Sequence, residues 1–424
     1  MGEYLRRVVD DELDELLPDL PAIALDGPKG VGKTATASRR ASTVHRLDDL
    51  TQREILAAEP ARVVSGRRPV LIDEWQRLTH SWDVVRRAVD DGAAGGSFLL
   101  TGSAAPLEQP THSGAGRIVT LRMRPLSLAE RQIVEPTVSL ADLLAGRRPA
   151  VSGSSPLRLA DYAEEIVVSG FPGIRRMQGR ARRAQLDGYL ARIVERDFAE
   201  QGRDVRDPAG LRRWMAAYAA ATGTTAPFEA IRTASTSADG HVPPRSTTLP
   251  YRRVLERLWI LDPLNAWLPT RNHLTRLAAP PKHHLADPAL AARLLGAEVP
   301  ALLDAEVLDP PAPRDGPLLG RLFESLVTLG VRVHAQAAEA TVGHLRTKGG
   351  EHEIDLIVER ADHRVVAIEV KLAATVDDRD VRHLHWLARL LGDDLLDAVI
   401  VTTGREAYRR ADGIAVVPAA LLGP

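Results

Sequence analysis

The chain has 424 residues, 44% of them hydrophobic and 26% charged, with a formal net charge of −1. This composition is typical of a soluble globular protein of two to four domains, and the charge excludes a general attraction to nucleic acid. No cysteine is present, which excludes disulfides and cysteine-bound metals. No apolar stretch approaches eighteen residues, so we expect a cytoplasmic protein that makes no contact with membranes.

The basic residues are unevenly divided between their two types. Of 55 basic residues only five are lysines. Lysine carries a compact ammonium that arginine cannot replace chemically, so each remaining lysine is informative. Lys33 and Lys371 fall within recognisable motifs. The five lysines are Lys29, Lys33, Lys282, Lys348 and Lys371.

The first 145 residues alternate short apolar runs with stretches of helical character. This alternation predicts a parallel β-sheet covered by helices. The turn-rich segment 151–156 (VSGSSP) predicts a linker after this part. The predicted strands are residues 22–26, 43–47, 70–73, 97–101 and 118–122.

Residues 27–34 (GPKGVGKT) match the phosphate-loop pattern at every position, between a predicted strand and a predicted helix. Glycines let the backbone N–H groups face a phosphate, and the helix N-terminus adds positive charge. Lys33 would bridge the β- and γ-phosphates, and Thr34 would offer a hydroxyl to Mg²⁺. The predicted nucleotide-binding residues of the loop are Gly27, Pro28, Lys29, Gly30, Val31, Gly32, Lys33 and Thr34.

Two further strand ends support a nucleotide site. Residues 70–74 (VLIDE) form an apolar strand that ends in two carboxylates. Asp73 would hold Mg²⁺ directly or through water, and Glu74 would polarise the attacking water. Thr101 ends the strand 97–101 where a residue sensing the γ-phosphate would stand, although an ordinary turn also explains it. We therefore predict ATP and Mg²⁺ as cofactors.

These motifs resemble those of AAA+ ATPases, and more narrowly a prokaryotic AAA+ family with a C-terminal domain of unknown function. The resemblance implies ATP hydrolysis. It also points to Arg117, in the Gly-Arg before the last core strand, as an arginine finger acting within or between subunits of a possible homo-oligomer. The alternative for Arg117 is a solvent-exposed arginine. The resembling segments are GPKGVGKT, LIDEWQ, LLTGSA, 114–130, SGFPG, YLARIVERDFAE, EIDLIVE and AIEVK.

The middle of the chain, from about 157 to 305, has mostly helical periodicity. The family resemblance implies a helical lid followed by a winged-helix fold. Residues 245–258 predict a basic helix, provided that Pro250 lies in its first turn. The strand-like segments 259–267 and 270–278 could form a wing, and helix and wing together could enter a DNA groove. Protein contacts are the alternative role.

Residues 309–317 contain four prolines and predict a linker before a C-terminal part. A helix at 318–330 carries Glu324, a strand carries Asp355, and the next strand ends in Glu369 and Lys371. The two strands plausibly form a hairpin turning at 361–363. Side chains alternate along a strand, so Glu369 and Lys371 point to one side. Two carboxylates near a lysine could hold Mg²⁺ and activate water against a phosphodiester.

This arrangement resembles the active site of the PD-(D/E)xK nuclease superfamily. Glu324, Asp355, Glu369 and Lys371 each match one position of its active site. The resemblance implies catalytic roles for all four and metal binding by Asp355 and Glu369. A retained nuclease fold that binds without cleaving is the alternative.

The sequence as a whole predicts an α/β protein in three parts. Residues 1–150 would form an AAA+ ATPase core with a parallel sheet, 157–308 a helical and winged-helix middle, and 316–424 a nuclease-like α/β domain. Mg-ATP hydrolysis would switch a nucleic-acid-directed C-terminal domain, with DNA or RNA bound by the middle and C-terminal parts. The alternative function is an ATP-dependent regulatory or scaffold protein whose C-terminal domain does not cleave.

Overall fold

The computed structural model describes residues 4–102, 113–203, 205–270, 279–303 and 316–424. A five-stranded parallel sheet forms its N-terminal part, in the order β2-β3-β4-β1-β5. The predicted strands are confirmed to within one residue at each end. Because all five run in parallel, their carboxyl ends meet at one edge of the sheet. The strands are β1 (Ala22–Asp26), β2 (Thr43–Arg46), β3 (Val70–Asp73), β4 (Phe98–Gly102) and β5 (Val119–Arg122).

Helices pack on this sheet, and one of them follows the phosphate loop directly. The apolar strand residues Ile23, Leu71 and Leu99 are fully buried. Burial on both faces explains why these strands are almost wholly apolar in sequence. The helices of this region are α1 (Val8–Leu16), α2 (Lys33–Ser38), α3 (Leu50–Ala58), α4 (His80–Asp90) and α5 (Leu140–Leu144).

The middle of the chain is helical, as its periodicity predicted. A π-helical turn (Ile193–Asp197) interrupts one continuous helical stretch. Pro250 lies at the sixth residue of α12, inside the helix, so the expectation that it occupies the first turn is wrong. The helices are α6 (Leu159–Val168), α7 (Pro172–Arg175), α8 (Gly179–Arg192), α9 (Phe198–Glu200), α10 (Pro208–Ala220), α11 (Phe228–Ala234), α12 (Arg245–Arg257), α13 (Pro288–Leu294) and α14 (Val299–Leu303).

A second sheet of seven strands, in the order β7-β12-β13-β11-β10-β9-β8, forms the C-terminal part. β9 and β10 are antiparallel neighbours, which confirms the predicted hairpin. The helix predicted at 318–330 is longer than expected and spans α15 (Gly316–Ala337), and α16 (Arg382–Leu391) follows β10. The strands are β7 (Gly153–Ser154), β8 (Thr341–Arg346), β9 (Glu353–Glu359), β10 (Val365–Lys371), β11 (Leu395–Thr402), β12 (Glu406–Arg409) and β13 (Ala415–Pro418).

The predicted linker 151–156 is part of this second sheet. Its β7 pairs with the edge strand β12, and the Ser155 N–H donates to the Arg405 carbonyl at 2.7 Å. Nearby, β6 (Val138–Ser139) pairs with β14 (Leu422–Gly423). The edge strand of a sheet has backbone N–H and C=O groups without partners in the sheet, and another segment of the chain can form hydrogen bonds with them. Residues 138–154 therefore pack with the C-terminal part, although they precede the helical middle in sequence.

The strand-like segment predicted as part of a wing lies against the C-terminal sheet. We call residues 260–267 and 280–285 the ribbon, because Leu264 and Lys282 pair across it in antiparallel fashion. The Trp267 N–H donates to the His344 carbonyl at 2.6 Å, which attaches the ribbon to the edge strand β8. Of the second predicted wing segment, 270–278, only the first residue is among those described.

One apolar core extends through all three parts. It includes Leu13 and Ile23 of the N-terminal part, Trp214 of the middle, and Phe323 and Val399 of the C-terminal part. Such continuity means that the parts are not independent globules joined by linkers. Within the described ranges, no helix has the length and apolar character needed to cross a membrane.

Candidate nucleotide site and carboxylate site

Lys33, the first residue of α2, turns back onto the phosphate loop. Its ammonium donates to the carbonyl oxygens of Gly27 at 2.7 Å and Pro28 at 2.9 Å. Burial lowers the pKa of Lys33 to about 8, although the carboxylates of Glu74 and Asp26 favour its charged form. Only neutral carbonyl groups are directly bonded to this ammonium, so a phosphate would find it available.

The loop is fixed against the end of β5 by a glycine. Gly27 has a φ of 154°, and a Cβ atom placed on it would lie 2.1 Å from the Met123 carbonyl oxygen. No side chain can be accommodated at that distance, so the sequence requires glycine here. The phosphate loop thereby packs directly on the backbone that follows β5.

Asp73 stands at the carboxyl end of β3 between two hydroxyls. Its Oδ1 accepts from Thr34 Oγ1 at 2.7 Å and from Thr101 Oγ1 at 2.5 Å. β3 and β4 pair with Asp73 opposite Thr101, which places the three predicted residues together. Carboxylate and hydroxyl oxygens are the ligands that Mg²⁺ prefers. The residues present therefore fit the magnesium ion that the sequence predicts.

Glu74 has an unusual backbone conformation. Its φ of 56° and ψ of 44° lie in the left-handed region, which is uncommon for a residue with a side chain. The side chain of Gln76 donates to its carboxylate. Strained backbone is concentrated at functional sites, and Glu74 directly follows the candidate magnesium ligand Asp73. This position suits the predicted role of polarising water.

Arg117 lies far from the phosphate loop of its own chain. It precedes β5, and Val119 pairs with Ile23 near the start of β1, whereas the loop follows the end of β1. At about 3.3 Å per residue the separation is roughly 20 Å. Arg117 bonds to Asp90 at 2.8 Å and is half exposed. This register favours a finger that acts on a neighbouring subunit over one that acts within its own, and the role of Arg117 stays a prediction.

Lys29 faces the helical middle rather than the expected phosphate position. Its ammonium contacts Asp197 at 2.6 Å and Glu200 at 2.8 Å. The Tyr189 hydroxyl donates to the Lys29 carbonyl at 3.1 Å. The two carboxylates raise the pKa of Lys29 against the opposing effect of burial. No local pattern in the sequence indicates that these middle-part residues reach the phosphate loop.

The predicted C-terminal residues come together as the hairpin predicted. The Asp355 N–H donates to Glu369 Oε2 at 3.4 Å, and Asp355 Oδ2 accepts from the Val370 N–H at 2.9 Å. Lys371 lies 3.9 Å from Glu369. Burial, followed by the charge of Asp355, raises the pKa of Glu369 well above its ordinary value.

A lysine from the ribbon lies among these carboxylates. Lys282 Nζ contacts Glu324 at 2.8 Å, Asp355 at 3.1 Å and Glu353 at 3.4 Å. Burial and the neighbouring Asp355 raise the pKa of Glu324 to about 8. Burial alone would raise the pKa of Asp355, but Lys282 holds it below its ordinary value.

This arrangement corrects the expectation of a metal held by Asp355 and Glu369. Among the residues that the structure describes, no three carboxylate or imidazole groups are placed to hold a metal ion. The ammonium of Lys282 stands where a cation between Glu324 and Asp355 would lie, so the residues do not fit a metal as arranged. Sequence reasoning missed Lys282, although the scarcity of lysine marked it as informative.

Three family comparisons cover most of the chain. The AAA domain family matches residues 19–132. Domain of unknown function DUF8612 matches residues 159–301, and domain of unknown function DUF4143 matches residues 319–422. Together with the geometry of the phosphate loop, the first match supports an AAA-type P-loop fold for the N-terminal part and, with it, nucleotide binding.

Two curated relatives align along nearly the whole chain. They are the uncharacterized proteins Rv2008c of Mycobacterium tuberculosis and Mb2031c of Mycobacterium bovis. Each is 26% identical over 98% of this chain and 83% of its own length.

Two solved structures align with about two thirds of this chain. The Walker-type ATPase PABY2304 of Pyrococcus abyssi is 16% identical, over 67% of this chain and 94% of its own, with a TM-score of 0.38. The ORC2 protein of Aeropyrum pernix is 14% identical, over 68% of this chain and 90% of its own, with a TM-score of 0.28.

Proposed function

We propose that this protein hydrolyses Mg-ATP and that its nucleotide state controls the contact between the phosphate loop and the helical middle part. The observation that carries this proposal is the binding of Lys29, inside the loop, by Asp197 and Glu200 of the middle part. Any change in the loop therefore reaches another part of the molecule through a direct ionic contact.

Each residue of the nucleotide site has a distinct role in this proposal. Thr34 and Asp73 would hold Mg²⁺, which supplies positive charge between the phosphates. Lys33 would leave its two carbonyl partners and bond to the phosphates. Glu74 would accept the proton of the attacking water, and Thr101 would help to orient the groups around the γ-phosphate.

The coupling follows from competition for Lys29. Its ammonium now bonds to two carboxylates, and its side chain is 36% exposed. Phosphates that bind to the loop would attract the ammonium of Lys29, because Coulomb attraction is still effective over the short distance between them. Binding of ATP would thus weaken the contacts with Asp197 and Glu200, and release of phosphate would restore them.

For the C-terminal part, the contacts of Lys282 favour a domain that does not cleave in this arrangement. This agrees with the alternative of an ATP-dependent regulatory or scaffold protein. A nuclease directed at DNA or RNA is the second candidate, and the clustering of Glu324, Asp355, Glu369 and Lys371 supports it. Nucleic-acid binding by the basic helix α12 belongs to this second candidate.

The test combines two assays on the full chain. ATP turnover is measured with Mg²⁺, alone and with single- and double-stranded DNA and RNA. Cleavage of the same nucleic acids is measured with ATP, with ADP and without nucleotide. We expect turnover without cleavage. Absence of turnover under all conditions would contradict the proposal, and ATP-dependent cleavage would establish the nuclease candidate.

The coupling is tested with Lys29→Ala. Hydrogen exchange of the segment 189–200 should respond to ATP in the wild type and lose most of that response in the variant. The matched control is Arg196→Ala, because Arg196 also bonds to Glu200 but lies outside the loop and is 61% exposed. If both variants keep the wild-type response, the Lys29 contact does not transmit nucleotide state.

A further inference from the structure

We infer that Lys282 is a tethered cation that takes the place of a divalent ion in the C-terminal carboxylate site. The ribbon holds it there, and withdrawing it would open a site for Mg²⁺ or Mn²⁺ between Glu324 and Asp355, the two carboxylates nearest its ammonium. This inference does not depend on ATP hydrolysis. It concerns a contact that the chain makes between its own middle and C-terminal parts.

The charges around the ammonium carry the first step of the argument. Lys282 is 1% exposed and lies within 3.4 Å of three carboxylates. Buried carboxylates are strongly destabilising unless a cation compensates their charge. Lys282 brings a single positive charge to Glu324 and Asp355, whereas a divalent ion in its place would bring two.

The ribbon fixes where Lys282 can lie. The backbone N–H of Lys282 donates to Leu264 at 2.8 Å, and that of Leu264 donates to Lys282 at 2.9 Å. On β8, a Cβ atom on Gly343 would approach the Trp267 Cβ to 2.9 Å. Glycine at 343 thus allows the ribbon to pack against the sheet edge closely enough for Lys282 to reach the carboxylates.

The other end of the ribbon is attached beside the nucleotide site. Asp262 is buried and contacts Arg124 at 3.0 Å, Arg122 at 3.2 Å and Arg332 at 2.8 Å. Arg122 ends β5, and Arg124 follows it, next to the backbone on which Gly27 packs. One short ribbon therefore contacts the edge of the sheet that carries the phosphate loop and also closes the carboxylate site.

The experiment counts bound Mn²⁺ by electron paramagnetic resonance on the full chain without nucleotide. All proteins carry Asp73→Asn, which removes the candidate metal ligand of the nucleotide site. We expect no tight Mn²⁺ site in this background and one additional site per chain after Lys282→Ala. Lys348→Ala is the matched control, because Lys348 is an exposed lysine of the C-terminal part, and its replacement should add no site.

Adding Asp355→Asn to the Lys282→Ala protein should abolish the new site. The melting temperature of the Lys282→Ala protein should also rise with Mn²⁺, by mass action, whereas that of the background should not. If Lys282→Ala does not fold, Lys282→Gln takes its place. If neither folds, recovery of folded protein on refolding with Mn²⁺ supports the inference, and no recovery overturns it.

Two other outcomes overturn the inference. One is a folded Lys282→Ala protein with no added Mn²⁺ site. The other is an added Mn²⁺ site that remains when Asp355→Asn is combined with Lys282→Ala. Neither outcome bears on the nucleotide site, since no nucleotide is present and Asp73 is replaced throughout.

Discussion

The two candidate sites each combine carboxylates with a buried lysine, but the lysines are bonded to different partners. Lys33 donates to two carbonyl oxygens, and Lys282 contacts three carboxylates. Hydrogen bonds between a charge and a neutral group are weaker than bonds between two buried charges of opposite sign. The nucleotide site can therefore release its lysine to a phosphate, while the carboxylate site retains its own.

The difference shows how one residue type can serve two purposes in one chain. In the phosphate loop, the lysine is part of a site that a ligand can enter at little cost. In the C-terminal site, the lysine belongs to a distant segment and joins two parts of the fold. The surroundings of a motif, and not the motif alone, decide whether its chemistry is accessible.

The largest expected effect comes from Lys33→Ala. The loss of two charged hydrogen bonds to phosphate, at about 1.5–3 kcal/mol each, should weaken ATP binding by ~100-fold or more and end turnover. Stability should change little, because only neutral carbonyls lose a partner. Calorimetric titration and thermal melting measure both. An unchanged affinity for ATP would mean that Lys33 is not released to a phosphate, and that it does not differ from Lys282 in this respect.

Glu74→Gln should slow ATP turnover by about 10²–10⁴-fold. The amide preserves the shape of the side chain but accepts a proton poorly, so ATP binding should stay close to the wild type. Single-turnover hydrolysis combined with filter binding separates the two quantities. Near-normal turnover would mean that Glu74 only shapes the end of β3.

Asp262→Asn should destabilise the fold by about 3–5 kcal/mol, because three partly buried arginines lose the buried counter-ion that they share. Chemical denaturation measures the free energy of unfolding. Asp187→Asn is the control, since its pair with Arg293 lies at the surface and should contribute less than about 1 kcal/mol. If both variants lose equally little free energy of unfolding, the ion pairs of Asp262 do not hold this end of the ribbon.

Arg117→Ala has the smallest expected effect on a single isolated chain. If Arg117 acts on a neighbouring subunit, turnover falls while ATP affinity is unchanged, and mixing with Lys33→Ala restores part of the rate. Steady-state turnover of the mixture measures this. If Arg117→Ala changes neither turnover nor ATP affinity, the role of Arg117 is limited to its surface ion pair with Asp90.

Local sequence patterns were sufficient to predict the helices and strands and most residues of the two sites. The apolar strands, the phosphate loop and the hairpin carrying Asp355 and Glu369 depend on neighbouring residues or on simple alternation. The position of Lys282 does not, because it is 73 residues from Asp355 in sequence and arrives only through packing of the ribbon on β8.

The same reason explains the remaining differences from the sequence-based expectations. The segment 151–156 has linker composition, yet a free sheet edge more than 200 residues away provides its partners, as the bond between Ser154 and Glu406 shows. Lys29 fits a phosphate-loop pattern, but its partners come from a helix at 189–200 whose direction the sequence does not specify. In both cases, contacts between residues far apart in the sequence determine the observed position of the segment or side chain.

The most direct test of the account is ATP hydrolysis by three proteins measured side by side with Mg²⁺: the wild type, Lys33→Ala and Glu74→Gln. We predict turnover in the wild type, strongly weakened binding and no turnover in Lys33→Ala, and bound but slowly hydrolysed ATP in Glu74→Gln. Turnover that is unaffected by both substitutions would contradict the assignment of the phosphate loop as the ATPase site.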